Sequence, residues 1–141
     1  MVSSSGRGLG LLRLAVGIAG AFACCSTAGA AVTGKWINPS KSVIIEIEPC
    51  GQVMCGTVVW ASEKAKQDAR KGTQQLVGTK LLTGMKHSST GTWKGRIFVP
   101  DQNMHASAKL KPEGSAHLKV SGCVMMICKS QVWTKTHAEH G

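Results

Sequence analysis

Tyrosine is absent from this 141-residue chain, phenylalanine occurs twice and carboxylates number only seven. With five histidines, that inventory assembles no catalytic constellation. His105 and His117 fall on outward strand positions, His87 in a turn, and His137 and His140 in the tail. "HAEH" at 137–140 would hold a metal only on a helix, and a solvated tail is the plainer reading. Ser88, Ser89 and Thr90 lack an accompanying base or oxyanion pattern and read as turn chemistry. The expectation is therefore a non-enzyme with no catalytic residues, no metal site and no cofactor. Other absences exclude whole classes. Without a sustained 3.6-residue period there is no helical bundle. Without C-x-x-C there is no redox pair of the usual kind. Without a recognisable binding motif, nucleic acid is not an expected partner.

What is present begins with a targeting pattern. Arg7 and Arg13 precede the apolar run "LAVGIAGAFA" at 14–23, and small residues end in Ala28-Gly29-Ala30. The run is too short to span a membrane in a mature protein, and the pattern is that of a secretory signal cleaved after Ala30. A lipoprotein beginning at Cys24 is disfavoured, because Ala21 and Phe22 stand where such sites want Leu and a small residue. Removing 30 residues from 141 leaves 111, so 31–141 is expected to be one domain, periplasmic or secreted, with no transmembrane span. That domain carries 15 basic side chains against seven acidic, a net charge of +8. Its expected partners are anionic envelope components such as lipid headgroups, acidic polysaccharide or acidic proteins, with simple solubility as the plainer alternative.

Period-two alternation recurs between turn residues and predicts about eight short strands, near 34–37, 42–49, 55–60, 79–86, 92–99, 104–111, 117–123 and 129–135. One longer polar connection, 62–75, follows the third strand. Requiring the apolar faces of neighbours to agree sets the hairpins. Cys50 then opposes Cys55, with Ile47 opposite Val58 and Ile45 opposite Trp60. The same test pairs Val99 with Met104, Leu110 with Leu118, and Cys123 with Cys128. Inner rows follow: Trp93, Leu110, Leu118 and Trp133 plug one end, and Gly95, Ala108, Val120 and Gln131, then Ile97, Ala106 and Gly122, line the layers above. With Trp60, these small residues either line a ligand-holding mouth or merely let walls pack closely. On the outer face Lys94, Lys109 and Lys119 fall in a row, with Arg96 and Lys111 nearby; like charges so opposed need water or an anion to relieve them.

Cys50, Cys55, Cys123 and Cys128 form two C-x4-C pairs, and four thiols allow three connectivities. Directly opposed residues lie within disulfide reach, so an oxidising compartment favours Cys50 with Cys55 and Cys123 with Cys128. A shared zinc is disfavoured by spacing and compartment. The loop 124–127, Val-Met-Met-Ile, contains no turn former. It is expected to fold back over a barrel end; the alternative is an exposed apolar contact for a membrane or partner.

Several stretches together resemble a family of exported bacterial proteins, domain of unknown function 2147: "GKW" at 34–36, "IEPCGQVMCGTVVW" at 47–60, "GTKLLTGM" at 78–85, "WKGRIFVPD" at 93–101 and "VSGCVMMICKSQVWTK" at 120–135. The resemblance implies a lipocalin-like antiparallel barrel, in agreement with the strand reading. It also implies a closed base in which Gly34 and Trp36 pack against Lys135, beside Trp93 and Trp133. The fold class expected is all-β, a single small antiparallel barrel of about eight strands. The leading functional expectation is a disulfide-stapled barrel binding a small or lipidic molecule. The alternative is a filled barrel acting as an envelope interaction module through the basic face or the 124–127 loop.

Overall fold

A computed structural model describes residues 31–141, together with the isolated Gly17 and Gly20. The signal segment, its cleavage at Ala30 and the lipoprotein reading of Cys24 lie outside the described residues. Eight strands follow in order: β1 (Gly34–Ile37), β2 (Val43–Cys50), β3 (Val53–Ala61), β4 (Lys80–His87), β5 (Trp93–Val99), β6 (Met104–Glu113), β7 (His117–Val124) and β8 (Ile127–Thr136). Each pairs antiparallel with the next, and β8 returns to β1, so the sheet closes into a barrel. The closing ladder is short: β1 ends at Ile37, opposite Thr134, so β8 is paired on that side only over its last residues, from Thr134 to Thr136. Among the described residues, no helix is long and apolar enough to cross a membrane.

Two hairpin registers are as expected: Val99 faces Met104, and Cys123 faces Cys128. The other two differ by two residues. Leu110 faces Val120 while Leu118 faces Pro112, and Cys50 faces Val53 while Glu48 faces Cys55. A slip of two leaves every side chain on its original face, because alternation repeats every second residue. The inner and outer sets therefore survive although the partners change.

Bulges do change faces. Between Ile44 and Ile45 the ladder steps from Trp60 to Val58, so β3 contributes one extra residue. The extra residue reverses the alternation. Ala61 enters the core and Trp60 turns out of it, where its ring meets His140 edge-on at 6.4 Å. The expectation that Trp60 lines the interior is thus corrected. A second bulge in β4 has Gly84 in the left-handed region at φ 61°, a conformation that costs glycine nothing.

Both barrel ends are closed. At the base Trp36 is fully buried and its indole donates to Val32 O at 2.8 Å. The opposite end is covered by the connection 62–79. There Ser62 caps a short helix, α1 (Glu63–Asp68), by accepting from Ala65 N, and a 3-10 turn (Ala69–Lys71) follows. Ala69 and Leu76 from this connection join the core. The C-terminal segment lies outside the wall, held by an ion pair from Lys35 to Glu139 at 2.6 Å.

Candidate functional site: a filled interior and an exposed tip

Gly95, Ile97, Ala106, Ala108 and Val120 share the inner parity expected of them, and Ala106, Ala108 and Val120 are buried. The space beside two inward glycines is taken by the neighbouring strand β4. A Cβ on Gly95 would lie 2.6 Å from Met85 Sδ and from Thr83 O, and 2.8 Å from Gly84 O. One on Gly56 would meet the Leu82 side chain at 3.0 Å. The glycines let the β4 bulge and its Met85 press into the barrel, so close packing explains the taper. Gln131 departs from the expectation: it faces the buried Val120 across the ladder but is exposed, because β1 ends opposite Thr134 and this stretch of β8 has no strand on its other side.

At the base the basic residue of the closing pattern is in contact. Lys135 Nζ donates to Thr33 O at 3.1 Å and stands 5.2 Å from the Trp36 ring centroid. A cation over an indole face is favourable by charge and quadrupole. Gly34 has φ 112°, and a Cβ there would lie 3.2 Å from the Lys135 stem, so a side chain would be doubly opposed. Trp93 and Trp133 complete the base, both buried. Among the described residues, Trp133 Nε1 is a buried side-chain polar atom without a hydrogen-bond partner.

Both expected disulfides are present, Cys50 with Cys55 across Cα atoms 5.9 Å apart and Cys123 with Cys128 across 4.1 Å. The first joins residues two rungs apart rather than opposed ones, a consequence of the two-residue register difference. The second sits one rung below a two-residue turn, Met125-Met126, between Val124 and Ile127. So short a turn has no chain with which to fold back over the barrel end, and that expectation is corrected. Met125 and Met126 are 96% and 98% exposed and Ile127 73% exposed.

The basic wall also differs in detail. Lys94 faces Lys109 as expected, but Lys109 faces Ser121, and Lys119 faces Lys111. Lys86, which sequence reasoning left out, faces Lys94 and extends the row to β4. The rung above runs Thr83, Arg96, Ser107 and Cys123, which places Arg96 level with the second disulfide. Lys129, also missed, is exposed beside the tip. Its signal was its place in the chain next to Cys128, legible only once the hairpin was known to project. Among the described residues, none of these cations has an ion-pair partner.

Two shallow hollows of about 310 Å³ mark the outer surface. One lies on the basic wall between Lys94, Ser107 and Lys109, and the other between Gln67, Asp68, Lys71 and Asp101 at the covered end. Among the described residues no group of three His, Cys, Asp or Glu is placed to hold a metal ion.

Comparison with curated proteins and with solved structures returns no match. A family model described as an uncharacterised protein conserved in bacteria matches residues 34–135, from the glycine at the barrel base to the lysine that packs against it. By that match over most of its length, the chain belongs to the bacterial family called domain of unknown function 2147.

Proposed function

We propose that the protein is exported to the bacterial envelope and works there by surface contact, its packed barrel serving as a rigid mount for a stapled apolar tip and a basic wall. The observation that carries this reading is the contrast between interior and tip. Met85 Sδ occupies the space beside Gly95, whereas Met125 and Met126 stand almost wholly in solvent. Clustered apolar side chains left in water mark interaction sites, and a barrel filled by its own side chains has little room for a ligand. Two disulfides suit an oxidising compartment, and the basic wall suits an anionic partner. In this reading the protein is not an enzyme.

A second reading, a small ligand inside the barrel, is favoured by Trp133 Nε1, a buried donor without an acceptor among the described residues. Native mass spectrometry of protein purified from its own envelope separates the two. Bare protein carrying two disulfides is the expected result, and a stoichiometric small-molecule mass overturns the surface-contact reading in favour of the second. In cell fractionation the wild type is expected to sediment with envelope fragments and a Met125→Gly/Met126→Ser variant to be released. Equal distribution of the two refutes the contact role of the tip.

A further inference from the structure

We infer that the β7–β8 tip inserts into the surface of an anionic lipid bilayer, with the basic wall beneath it lying against the headgroups. This rests on the surface-contact reading and names its partner. Three observations lead to it.

The first is chemical. The tip presents Met125, Met126 and Ile127, and methionine is unbranched, so its thioether adapts to a surface with no fixed shape. A two-residue turn is also small beside the roughly 800 Å² per partner that a stable protein interface buries. A bilayer asks only for shallow apolar insertion plus charge.

The second is conformational. Met125 has φ 56°, in the first central position of a two-residue hairpin turn where glycine is the usual occupant. The chain thus keeps an exposed apolar side chain at a position whose backbone disfavours one.

The third is electrostatic. Strands β4 to β8 carry nine basic side chains against one carboxylate, Glu113, which faces His117 at the far end of the barrel. Arg96 is level with the disulfide, and Lys129 lies one residue from it at a position of the opposite parity, paired with Gly122. Lys94 and Lys109 follow two residues further down their strands, about 7 Å at the usual rise. With the tip inserted, these four cations sit within about one Debye length of the headgroups.

Flotation with vesicles tests this. Full-length mature protein is expected to bind vesicles of equal parts phosphatidylcholine and phosphatidylglycerol, to bind pure phosphatidylcholine more weakly, and to be released by salt. Arg96→Gln and Lys129→Gln should each weaken partition about fivefold, as one cation near an anionic surface contributes. Met126→Ser should weaken it on the order of tenfold. Unchanged thermal midpoints keep these variants interpretable. No binding to anionic vesicles, or binding that Met126→Ser leaves intact, overturns the inference. If vesicles fail while the tip variant still leaves the envelope fraction in cells, the partner is a protein and the surface-contact reading stands. If sedimentation shows a dimer that Met126→Ser dissolves, the tip pairs with a second copy and the lipid inference falls.

Discussion

Replacing Gly95 by alanine asks directly whether the barrel is filled. The added Cβ would stand 2.6 Å from Met85 Sδ, 2.6 Å from Thr83 O and 2.8 Å from Gly84 O. The thioether is the end of a flexible chain and can swing away, but the two carbonyls belong to the β4 bulge, which must shift as backbone. Overpacking of a core typically costs about 1 to 3 kcal/mol, and each ladder hydrogen bond loosened adds about 1 kcal/mol. Against this, alanine gains about 0.5 to 1 kcal/mol over glycine in a strand by restricting the unfolded chain. The expected net loss is about 2 to 3 kcal/mol. With a urea slope of about 1 to 3 kcal/mol per molar, the unfolding midpoint should fall by roughly 0.7 to 3 M. Gly122→Ala is the internal control, because its Cβ would meet Ile97 Cγ2 at 3.4 Å, an ordinary contact. It should leave stability unchanged or raise it by up to about 1 kcal/mol. Met85→Ala truncates a fully buried side chain and should itself cost about 2 to 5 kcal/mol, so relief of the thioether contact reads as a double-mutant loss smaller than the sum of the single losses. Tryptophan fluorescence of the disulfide-intact protein in urea measures all three. If Gly95→Ala unfolds within about 0.5 kcal/mol of wild type, the layer is open and the reasoning from packing fails.

Trp36 and Trp133 should respond differently to phenylalanine: Trp36→Phe loses the 2.8 Å bond to Val32 O and should cost about 2 to 3 kcal/mol. Trp133→Phe removes a donor that has no partner among the described residues and should stay within about 1 kcal/mol of neutral in the same urea titration; equal losses would show that Trp133 Nε1 is satisfied. Met125→Gly relieves a left-handed methionine and should stabilise the protein by about 1 kcal/mol, visible as a higher thermal midpoint, whereas a loss would mean that the Met125 side chain packs in the folded state. The C-terminal segment should detach in acid. The hydrogen bond from Lys35, and then its charge, hold the Glu139 carboxyl below the usual 4.5. A lowered carboxylate contributes above its unfolded value, and that contribution is lost as the pH falls through the folded value, so release is expected below about 4.5. Chemical shifts of His140, which leaves the Trp60 ring on release, report the transition, and a Glu139→Gln variant should show it already absent at neutral pH.

Much of the fold was legible because alternation is local. "MHASAKLK" places Ala106, Ala108 and Leu110 on one face wherever its partner lies, and all three are buried. For the same reason the pairing of Leu110 with Val120 rather than Leu118 could not be read, since a slip of two leaves both faces intact. The candidate site was less legible. Gly95 and Ala108 were recognised as small and inward, but smallness is shared by cavity walls and by surfaces that another side chain presses against. Met85, which decides between them, lies on β4 behind a bulge and carries no local sign of where it points.

The chain's own alternation, turns and cysteine spacing were enough to specify an all-β barrel, the inward and outward sets of most strands, both disulfides and the sign of the outer wall. These depend on period-two geometry and on residues close in sequence. The outward turn of Trp60, the packing of Met85 and Leu82 against the inward glycines, the projection of Met125 and Met126 and the junction of Lys86 with the basic row came only with the folded whole. Each requires knowing the register between neighbouring strands, or where one extra residue reverses the alternation, and no local pattern carries that information.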